Sequence, residues 1–550
     1  MRLKKHLTAG ILLIENTFLI KYAAEPMPPE KERKSLLMPN VLQDTWKHLK
    51  SGTDIRGVAL DPGDGRPVEL TDEVVARIAR AFVGWLAARA DKPAGALTIS
   101  CGRDSRLSGP RIRDAAVAAM TAAGARVLDC GLASTPAMFM TTVDLGCDGA
   151  LQITASHHPF DRNGLKFFTP QGGLDGGDVE ALLLRAQEDG TPLPMSTKGA
   201  ESVDYMSRYA ARLRRMIIDG VGRGERPLAG MRVVVDAGNG AGGFYATQVL
   251  QPLGADTAGS QFLDPDGRFP NHIPNPENED AMRSVCGAVR RAGADLGIIF
   301  DTDVDRAGCV DAAGKEINRN RLIALAAAIA LEDNPGGAVV TDSVTSDGLK
   351  LFIEQTLGGV HCRFKRGYKN VINEAVRLNE RGVNAPLAIE TSGHAALREN
   401  YFLDDGAYLV TRILIKAAQL RGCGKTLDSL IAALKEPAES TELRFSITEP
   451  DFRTAGERLL AGLEQYAAEK GWQVADDSRE GVRVSFGPGE GNGWLLLRLS
   501  VHDPVMPLNI ESDDQGGCRA IAAQLAGYLE QAGPGVLDCA PLRAFINGGR

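Results

Sequence analysis

A serine, two histidines and a proline follow a short apolar run in the segment Ala-Leu-Gln-Ile-Thr-Ala-Ser-His-His-Pro at 150–159. The run is short enough for a buried strand, which places Ser156 and His157 on a loop at its C-terminal end. Ligands of open α/β sheets bind at that edge. Because a serine is a weak nucleophile at its own pKa, Ser156 needs a base, a metal or an oriented charge from elsewhere. The alternative is a strand followed by an ordinary polar turn.

Three aspartates at alternate positions, Asp301, Asp303 and Asp305, follow an apolar run that ends at Phe300. Carboxylates spaced in this way on a loop suit a hard divalent cation, and Mg²⁺ is the cation we expect. Arg306 directly follows the cluster and could bind a phosphate oxygen beside the metal. The alternative is a solvated acidic loop without a metal ion.

Two further loops carry polar chemistry. The segment Glu-Thr-Ser-Gly-His at 390–394 combines a carboxylate, a hydroxyl and an imidazole, which suits recognition of sugar hydroxyls. The segment Arg-Phe-Lys-Arg-Gly-Tyr-Lys at 363–369 is a basic cluster at a predicted strand end. Taken alone, the first could be a polar loop with a satisfied histidine and the second a solvated charge run.

A glycine-rich turn at 237–243 is the main rival signal, because it matches a dinucleotide-binding fingerprint. Residues Asp236 and Ala237 separate the strand from the glycines, and no ribose-binding acid follows about 20 residues later. We therefore predict a glycine-permitted turn here, and keep a nicotinamide-dependent oxidoreductase as an alternative function.

The surrounding sequence alternates short apolar runs with Ala-rich segments of helical period, in three blocks of similar rhythm. Such alternation predicts parallel sheets with right-handed crossovers. After residue 437 the runs alternate apolar and polar residues, as half-buried antiparallel strands do. We predict an α/β protein with three related domains of mixed, mainly parallel sheets and a C-terminal α+β domain. The predicted strands lie at 97–101, 126–129, 150–153, 231–236, 295–300, 338–341, 360–364, 386–390, 444–448, 482–486 and 494–498, and predicted helices include 112–123 and 518–531.

The length, net charge and cysteine content of the chain argue against several kinds of protein. The chain has 550 residues, too many for one core, and a net charge of -8, which argues against a general nucleic-acid surface. Its 9 cysteines contain no Cys-x-x-Cys pair, so we predict reduced thiols. Charged residues interrupt the apolar run near the N-terminus before it could span a bilayer. We predict a poorly ordered extension at 1–45, with a removed targeting peptide as the alternative.

Taken together, these segments resemble the α-D-phosphohexomutase family of phosphoglucomutases and phosphomannomutases, over about residues 51–530. The match includes the serine loop at 154–159 and the acidic loop at 301–306. It also includes the sugar loop at 390–394 and four further motifs. These are Ser-Gly-Thr-Asp-Ile-Arg-Gly at 51–57, Gly-Arg-Asp-Ser-Arg at 102–106, Asn-Gly-Leu-Lys at 163–166 and the phosphate loop that begins at Arg498.

The resemblance implies four domains around one central cleft, each contributing one loop. The expected segments are an N-terminal extension at 1–45, domain I with a phosphoserine loop at 46–198, domain II with a metal loop at 199–314, domain III with a sugar-recognition loop at 315–437, domain IV with a phosphate loop at 438–535 and a C-terminal tail at 536–550. It further implies a ping-pong-like exchange, in which phospho-Ser156 donates to a hexose monophosphate and a bisphosphate intermediate turns around in the cleft. The resemblance implies a role for each of the following residues. The implied catalytic residues are Ser156, His157, Lys166 and Arg56, and the implied metal-binding residues are Ser156, Asp301, Asp303 and Asp305. The implied substrate-binding residues are Arg306, Lys365, Gly367, Glu390, Ser392 and His394, and the implied phosphate-binding residues are Arg498, Ser500 and His502.

The phosphate loop departs from the family pattern. That pattern reads roughly Arg-x-Ser-x-Thr-Glu-Pro with a second Arg three residues after the Pro, whereas this chain has His502 and Pro507 in place of the Thr and the second Arg. Losing one guanidinium from a phosphate site costs roughly 1.5 to 3 kcal/mol of binding free energy. Besides an active mutase, the alternatives are a phosphosugar-binding relative with reduced or lost turnover and a phosphoglucosamine mutase, although Thr154 stands where the glucosamine branch tends to have Ser.

The expected cofactor is Mg²⁺, and the expected partners are hexose phosphates and a hexose bisphosphate intermediate. We expect no nucleic-acid or membrane partner, and a monomer or a homodimer. The expected location is the cytoplasm, or a plastid if the N-terminal extension is a targeting segment.

Overall fold

The predicted strands and helices form at the predicted places. The computed structural model describes residues 41–194, 196, 199–500 and 503–548. Every predicted strand and both named helices overlap an observed element. The bounds differ by more than two residues at three of them: the strand predicted at 444–448 begins at Glu439, the strand predicted at 126–129 continues to Leu132, and the helix predicted at 112–123 begins at Gly109. The predicted N-terminal extension lies outside the described residues up to residue 40. No helix in the described part of the chain is long and apolar enough to cross a membrane.

The first domain is built on an eight-stranded sheet. Its elements are α1 Asp44–Lys47, β1 Lys50–Ser51, β2 Asp54–Val58, α2 Asp72–Ala90, β3 Thr98–Arg103, α3 Gly109–Ala122, β4 Arg126–Leu132, α4 Thr135–Asp144, β5 Gly149–Ile153, β6 Arg162–Thr169, β7 Gly172–Gly173, α5 Gly176–Glu188 and β8 Glu201–Ser202. The strand order is β1-β2-β6-β5-β3-β4-β8, with β7 beside β6. Strand β3 pairs in parallel with β4 and β5, and β6 pairs antiparallel with β5 and β2.

The second domain has a four-stranded sheet of order β12-β11-β10-β9. Its elements are α6 Tyr205–Val221, β9 Val233–Asp236, a π-helical turn Tyr245–Leu250, α7 Glu279–Ala292, β10 Leu296–Phe300, β11 Ala307–Val310 and β12 Glu316–Ile317. Strands β9 and β10 are parallel and fully buried, and β11 returns antiparallel beside β10. The acidic loop therefore connects β10 to β11.

The third domain has a five-stranded sheet of order β14-β13-β15-β16-β17. Its elements are α8 Arg319–Glu332, β13 Ala338–Thr341, α9 Asp347–Leu351, a π-helical turn Phe352–Thr356, β14 Val360–Arg363, α10 Tyr368–Glu380, β15 Leu387–Ile389, β16 Ala395–Leu397, β17 Leu403–Asp404, α11 Gly406–Arg421 and α12 Asp428–Ile431. Strand β13 is parallel to both β14 and β15, and the sugar loop is the turn between β15 and β16.

The fourth domain is an antiparallel sheet of order β18-β22-β21-β20-β19 with helices. Its elements are β18 Glu439–Ser446, α13 Phe452–Lys470, β19 Gln473–Val474, β20 Val482–Phe486, β21 Gly493–Leu497, β22 Val505–Ser512, α14 Gly517–Ala532 and α15 Ala540–Ile546. The segment predicted as a C-terminal tail is not one in the described residues, because Leu537 and Leu542 are buried in this domain's core. Apolar residues after 535 thus extend the core of the fourth domain.

One apolar core is shared between domains, whereas another belongs to the fourth domain alone. The largest cluster joins the second and third domains and extends to α4 of the first, with Leu213 of α6, Ile323 of α8 and Ile413 of α11 all fully buried in it. The fourth domain has a separate cluster that includes Phe445 and Leu525. The four sheets and their cores make the predicted architecture of three α/β domains and one α+β domain.

The glycine-rich turn at 237–243 supports the acidic loop of the same domain. The amide of Ala241 donates to the carbonyl of Thr302 at 2.8 Å. A Cβ at Gly240 would lie 2.5 Å from that carbonyl oxygen and 2.8 Å from the Thr302 Cα. Glycine is therefore required here because two backbones approach closely, and the turn positions the loop between β10 and β11.

Gly240→Ala should lower the melting temperature by several degrees, because the added methyl group meets backbone atoms and overpacking of this kind costs about 1–3 kcal/mol. Gly487→Ala is the matched control, since nothing lies within 4 Å of a Cβ at that position. Thermal unfolding followed by circular dichroism checks both variants. Equal melting temperatures for Gly240→Ala and the parent would contradict this role of the turn.

Candidate active site

Ser156 lies on a tight loop directly after the buried strand β5. Its backbone has φ of 50°, in the left-handed region, and its amide donates to the Thr154 hydroxyl at 2.9 Å. A non-glycine residue in this conformation is uncommon and marks a constrained turn. The turn leaves the Ser156 side chain buried and directed toward the second domain.

A buried arginine determines the shape of this loop. The Arg106 guanidinium donates to the carbonyls of Ser156 and His158 at 2.5 Å each, and to those of Pro159 and Arg162 at 2.8 Å each. The Asp104 carboxylate, also fully buried, lies 3.5 Å from Arg106 Nε. Four carbonyls bound to one rigid donor hold the serine loop in a single conformation.

The acidic loop concentrates negative charge in the protein interior. Asp301, Asp303 and Asp305 are all buried, and each offers a carboxylate oxygen within 4.8 Å of the others. Burial, and then the neighbouring Asp305 and Asp303 carboxylates, raise the pKa of Asp301 well above its usual range. A cluster of this kind requires cations nearby.

Two protein cations face the cluster. Lys166 on β6 donates from Nζ to Asp303 Oδ2 at 3.0 Å and to Asp305 Oδ2 at 2.5 Å. Although burial lowers the pKa of the Lys166 ammonium, the Asp303 and Asp305 carboxylates raise it well above its usual value. Lys166 therefore keeps its proton in this arrangement.

Arg306 joins the serine loop to the acidic loop. Its Nη2 donates to Ser156 Oγ at 2.8 Å and to Asp301 Oδ2 at 3.0 Å, while the Ser156 hydroxyl donates to Asp301 Oδ2 at 2.8 Å. The Asn275 side-chain oxygen accepts from Arg306 Nη1 at 3.2 Å. The serine hydroxyl thus lies between a permanent cation and a carboxylate.

The two histidines of the serine loop are neutral. His157 Nδ1 lies 2.6 Å from Arg306 Nη2 and 3.3 Å from Ser156 Oγ, so this nitrogen must act as the acceptor. Burial and then the charge of Arg306 lower the pKa of His157 to about 2, and burial and then Arg56 lower that of His158 to about 3. Of the residues predicted to be catalytic, His157 has its Nδ1 lone pair engaged by Arg306, and Lys166 is a charged donor.

Arg56 lies on β2, which pairs with β6 so that Arg56 is opposite Gly164. Its Nη2 donates to Asp54 Oδ2 at 2.7 Å. Burial opposes its positive charge, but Asp54 and, more weakly, Asp303 raise the pKa of the guanidinium. Arg56 therefore adds a third permanent cation on the first-domain side of the cluster.

The sugar loop between β15 and β16 is next to the acidic loop. Glu390 accepts from the Gly367 amide at 2.6 Å and from the Ser392 hydroxyl at 3.2 Å. Burial and then the Asp342 carboxylate raise the pKa of Glu390 to about 7. A single backbone bridge joins His394 to Arg306. The loop thus places three of the predicted sugar-binding residues beside the acidic loop.

His394 is held in a fixed orientation. Its Nδ1 lies 2.6 Å from Asp404 Oδ2, and its ring stacks on Tyr368 with the ring centres 5.1 Å apart. Burial lowers the pKa of His394, but the Asp404 and Asp305 carboxylates raise it to about 9, so the ring is positively charged at neutral pH.

The predicted phosphate loop lines a separate cavity of about 300 Å³. Arg498 and Ser500 face this cavity, which also touches Gly367 of the third domain. His502 lies outside the described residues. Lys365 is exposed on the loop after β14, so the structure does not bring it into contact with the serine.

The structure also contains site residues that the sequence did not identify. Arg106 belongs to the motif at 102–106, but nothing in the sequence indicates that it binds the carbonyls of the serine loop. Thr135 at the start of α4, whose amide donates to the Asp303 carbonyl at 2.8 Å, Asn275 and Asp404 were missed because they lie in unremarkable polar segments. Their roles depend on contacts between residues far apart in the chain.

The acidic loop fits a divalent cation. Asp303 Oδ1 and Asp305 Oδ1 are buried and have no hydrogen-bond partner among the described residues. Orphaned anionic oxygens, grouped within 4.8 Å with an oxygen of Asp301, are the donor set that hard cations prefer. The chain therefore has the residues to hold a metal ion beside Ser156.

Comparison with known proteins places these features in one family. Family models described as phosphoglucomutase/phosphomannomutase alpha/beta/alpha domains I, II and III match residues 49–191, 208–314 and 318–437. The phosphomannomutase/phosphoglucomutase of Pseudomonas putida is 30% identical over 425 residues, which cover 77% of this chain and 85% of the relative.

Two further matches extend over most of the chain. The phosphoglucomutase of Neisseria gonorrhoeae is 30% identical over 496 residues, covering 90% of this chain and 98% of the relative. A solved structure of a phosphoglucomutase/phosphomannomutase family protein from Burkholderia thailandensis superposes with a TM-score of 0.73 at 28% identity, covering 90% of this chain and 99% of that one.

Arg106→Lys should destabilise the protein by about 3–5 kcal/mol, because an ammonium cannot bind four carbonyls at once and the buried carboxylate of Asp104 loses its planar partner. The expected result is a lower melting temperature and slower turnover. Arg215→Lys is the control, since Arg215 is exposed and paired only within its helix. A melting temperature unchanged by Arg106→Lys would show that the loop does not depend on this clamp.

Proposed function

Because this chain belongs to the phosphoglucomutase/phosphomannomutase family of isomerases, we propose that it interconverts hexose 1-phosphates and hexose 6-phosphates of glucose, mannose or both. The reaction proceeds through a phosphorylated Ser156 and a hexose bisphosphate intermediate. The observation that carries this proposal is the position of Ser156 Oγ, which contacts both Arg306 and Asp301 at 2.8 Å.

The phosphoryl group moves in two steps. In the first, the bond between phosphorus and Ser156 Oγ breaks, a bond to a hydroxyl oxygen of the hexose monophosphate forms, and the hydroxyl proton replaces the phosphoryl group on Ser156. The bisphosphate then turns around, and the second step transfers its other phosphoryl group back to Ser156 with the opposite proton movement. Phosphoryl transfer of this kind depends on positioning and on neutralisation of negative charge.

The chain's own cations supply much of that neutralisation. Arg306 and Arg56 stabilise the moving phosphoryl group, and Lys166 is the candidate proton donor because it keeps its proton beside Asp303 and Asp305. His157 orients the serine through its contact with Ser156 Oγ. Arg306 and Lys166 are buried and Arg56 is half-buried, so their charges act more strongly than in water.

In this proposal Asp301, Asp303, Asp305 and phosphorylated Ser156 would hold the metal ion, which is Mg²⁺. When bound, it supplies Lewis-acid charge to the phosphoryl group. Lys166 contacts the Oδ2 atoms of Asp303 and Asp305, so the Oδ1 atoms remain available for metal binding.

The third and fourth domains bind the rest of the substrate. Glu390, Ser392 and His394 orient the sugar hydroxyls, with Lys365 and Gly367 at the neighbouring strand end. Arg498 and Ser500, together with His502, bind the phosphate that is not being transferred. Such contacts with a non-reacting group convert binding energy into correct orientation.

A phosphosugar-binding protein with reduced or lost turnover is the second candidate. It is favoured by the altered phosphate loop, in which Pro507 and His502 replace the residues expected from the family pattern. Measurable mutase turnover excludes it, whereas tight hexose-phosphate binding without turnover supports it.

The decisive assay couples the purified, Mg²⁺-loaded protein to detection of hexose 6-phosphate from glucose 1-phosphate or mannose 1-phosphate, with a trace of the bisphosphate. Turnover of either is expected, and the ratio identifies the preferred sugar.

Ser156→Ala should abolish stable phosphorylation and lower turnover by orders of magnitude, because the acceptor oxygen is gone. Ser446→Ala, an exposed serine on β18, should match the parent. Full activity in Ser156→Ala would refute the mechanism.

Asp303→Asn should raise the Mg²⁺ concentration needed for half-maximal activity at least tenfold, because the amide removes one negative charge from the ligand set. The same shift is expected when Mg²⁺-dependent thermal stabilisation is measured without substrate. Asp280→Asn, at an exposed position, is the control. An unchanged metal requirement in Asp303→Asn would place the metal elsewhere.

A further inference from the structure

The cavity lined by Arg498 and Ser500 also contains guanidinium groups that come from outside the phosphate loop. Arg366 of the third domain and Arg444 of β18 line it as well, so three arginines face about 300 Å³. Arg366 and Arg444 also line an adjoining cavity of about 670 Å³, which extends to Thr391 in the sugar loop. An anion bound at these arginines would be next to space that leads to the sugar loop.

Arg498 has no adequate anionic partner among the described residues. Its side chain is nine-tenths buried, its Nε has no hydrogen-bond partner among the described residues, and its nearest carboxylate is Glu480, with Nη1 and Oε1 3.9 Å apart. Burial lowers the pKa of this guanidinium, and Glu480 opposes that effect only in part. A buried, under-paired cation that faces a cavity indicates a site for an external anion.

Glu480 is already occupied by other donors. Its Oε2 accepts from the Ser343 hydroxyl at 2.6 Å and from the Arg366 amide at 3.1 Å. Asp503 is the other carboxylate that lines the cavity. In the part of the cavity lining that the structure describes, the arginines therefore outnumber the carboxylates by three to two, and one of those carboxylates, Glu480, is engaged elsewhere.

Arg444 lies on the same face of the fourth-domain sheet as the side chain at position 507. The two residues are directly opposite each other in the antiparallel pair β18–β22, and the amide of Arg498 donates to the Pro507 carbonyl at 3.1 Å on the other side. Directly opposite residues of an antiparallel pair project from the same face of the sheet. Arg444 and a side chain at position 507 thus share one face, beside Arg498.

We propose that Arg444 supplies the second guanidinium that binds the non-transferred phosphate of the hexose phosphate, opposite Arg498 in this cavity. Arg444 is a substrate-binding residue in this assignment, and Arg366 bounds the same anion from the third domain. Arg444 pairs with Glu442 at 2.8 Å and is itself about two-thirds exposed, and Glu442 also accepts from Asn509 Nδ2 at 3.0 Å, so Arg444 can turn from Glu442 to a phosphate at small cost. The assignment rests on the proposed hexose-phosphate function.

The test compares Arg444→Gln with the parent protein. In the coupled assay the KM for glucose 1-phosphate or mannose 1-phosphate should rise about tenfold to a hundredfold, with kcat changed by less than about threefold, since a contact kept throughout the reaction affects binding and not the chemical step. The melting temperature should stay within about 2 °C of the parent, as expected for loss of an exposed ion pair. An unchanged KM overturns the proposal.

Two companion variants sharpen the comparison. Arg458→Gln removes an arginine that is similarly exposed in the same domain and paired with Glu449 at 2.7 Å, and its KM should equal the parent value. Arg444→Gln combined with Pro507→Arg returns a guanidinium to the opposite strand, and should restore KM to within about threefold of the parent. A rise in KM for Arg458→Gln equal to that of Arg444→Gln would overturn the specific role of Arg444.

Direct binding separates this inference from the proposed reaction. Calorimetric titration with glucose 6-phosphate should show binding to the parent and at least tenfold weaker binding to Arg444→Gln, while unphosphorylated glucose should not distinguish them. Parent protein that binds in this Arg444-dependent way without turnover supports the phosphate site and refutes the mutase. Turnover with identical glucose 6-phosphate affinity in both proteins supports the mutase and refutes the role of Arg444.

Discussion

The burial of three aspartates in one loop is the constraint on which the rest of the site depends. Carboxylates this close repel one another, and the protein interior screens that repulsion poorly. Lys166 is supplied by the first domain and Arg306 by the acidic loop itself, so charge balance is reached only when the two domains are in contact. The same contacts hold Ser156 against Asp301. Domain assembly and construction of the site are therefore one physical event.

The four domains do not contribute to this assembly in the same way. The second and third domains share an apolar core, to which α4 of the first domain also contributes, and this core supports the acidic loop and the sugar loop. The fourth domain has its own core and contacts the third largely through polar groups, including Arg363 with Asp477 at 3.1 Å and Arg483 with Asp347 at 2.9 Å. The loop that carries Arg498 is thus attached to the third domain through ion pairs in place of a shared apolar core.

The phosphate cavity shows that a binding site is defined by where charges lie in space. Pro507 removes a side chain from β22, yet the opposite position on β18 carries Arg444, about 60 residues earlier in the chain. Antiparallel pairing places both positions on one face, so either strand can deliver a guanidinium to the same cavity. The sequence of the phosphate loop alone suggests that Pro507 has replaced a cation, whereas the paired strands of the sheet bring Arg444 to the neighbouring position.

The sequence by itself determined the strand and helix pattern, the architecture of three α/β domains and one α+β domain, and the segments that carry Ser156, the three aspartates and the sugar loop. These features are readable because burial periodicity and strand-end loops are local properties of the chain. It also identified the family, through several motifs in one order. Only the tertiary structure decided that Arg106 binds four carbonyls of the serine loop, that Arg306 contacts a serine 150 residues away, and that Arg444 faces the cavity of Arg498. The physical reason is that a side chain's partners across a sheet or a domain contact depend on strand order and register, which no local pattern of residues specifies.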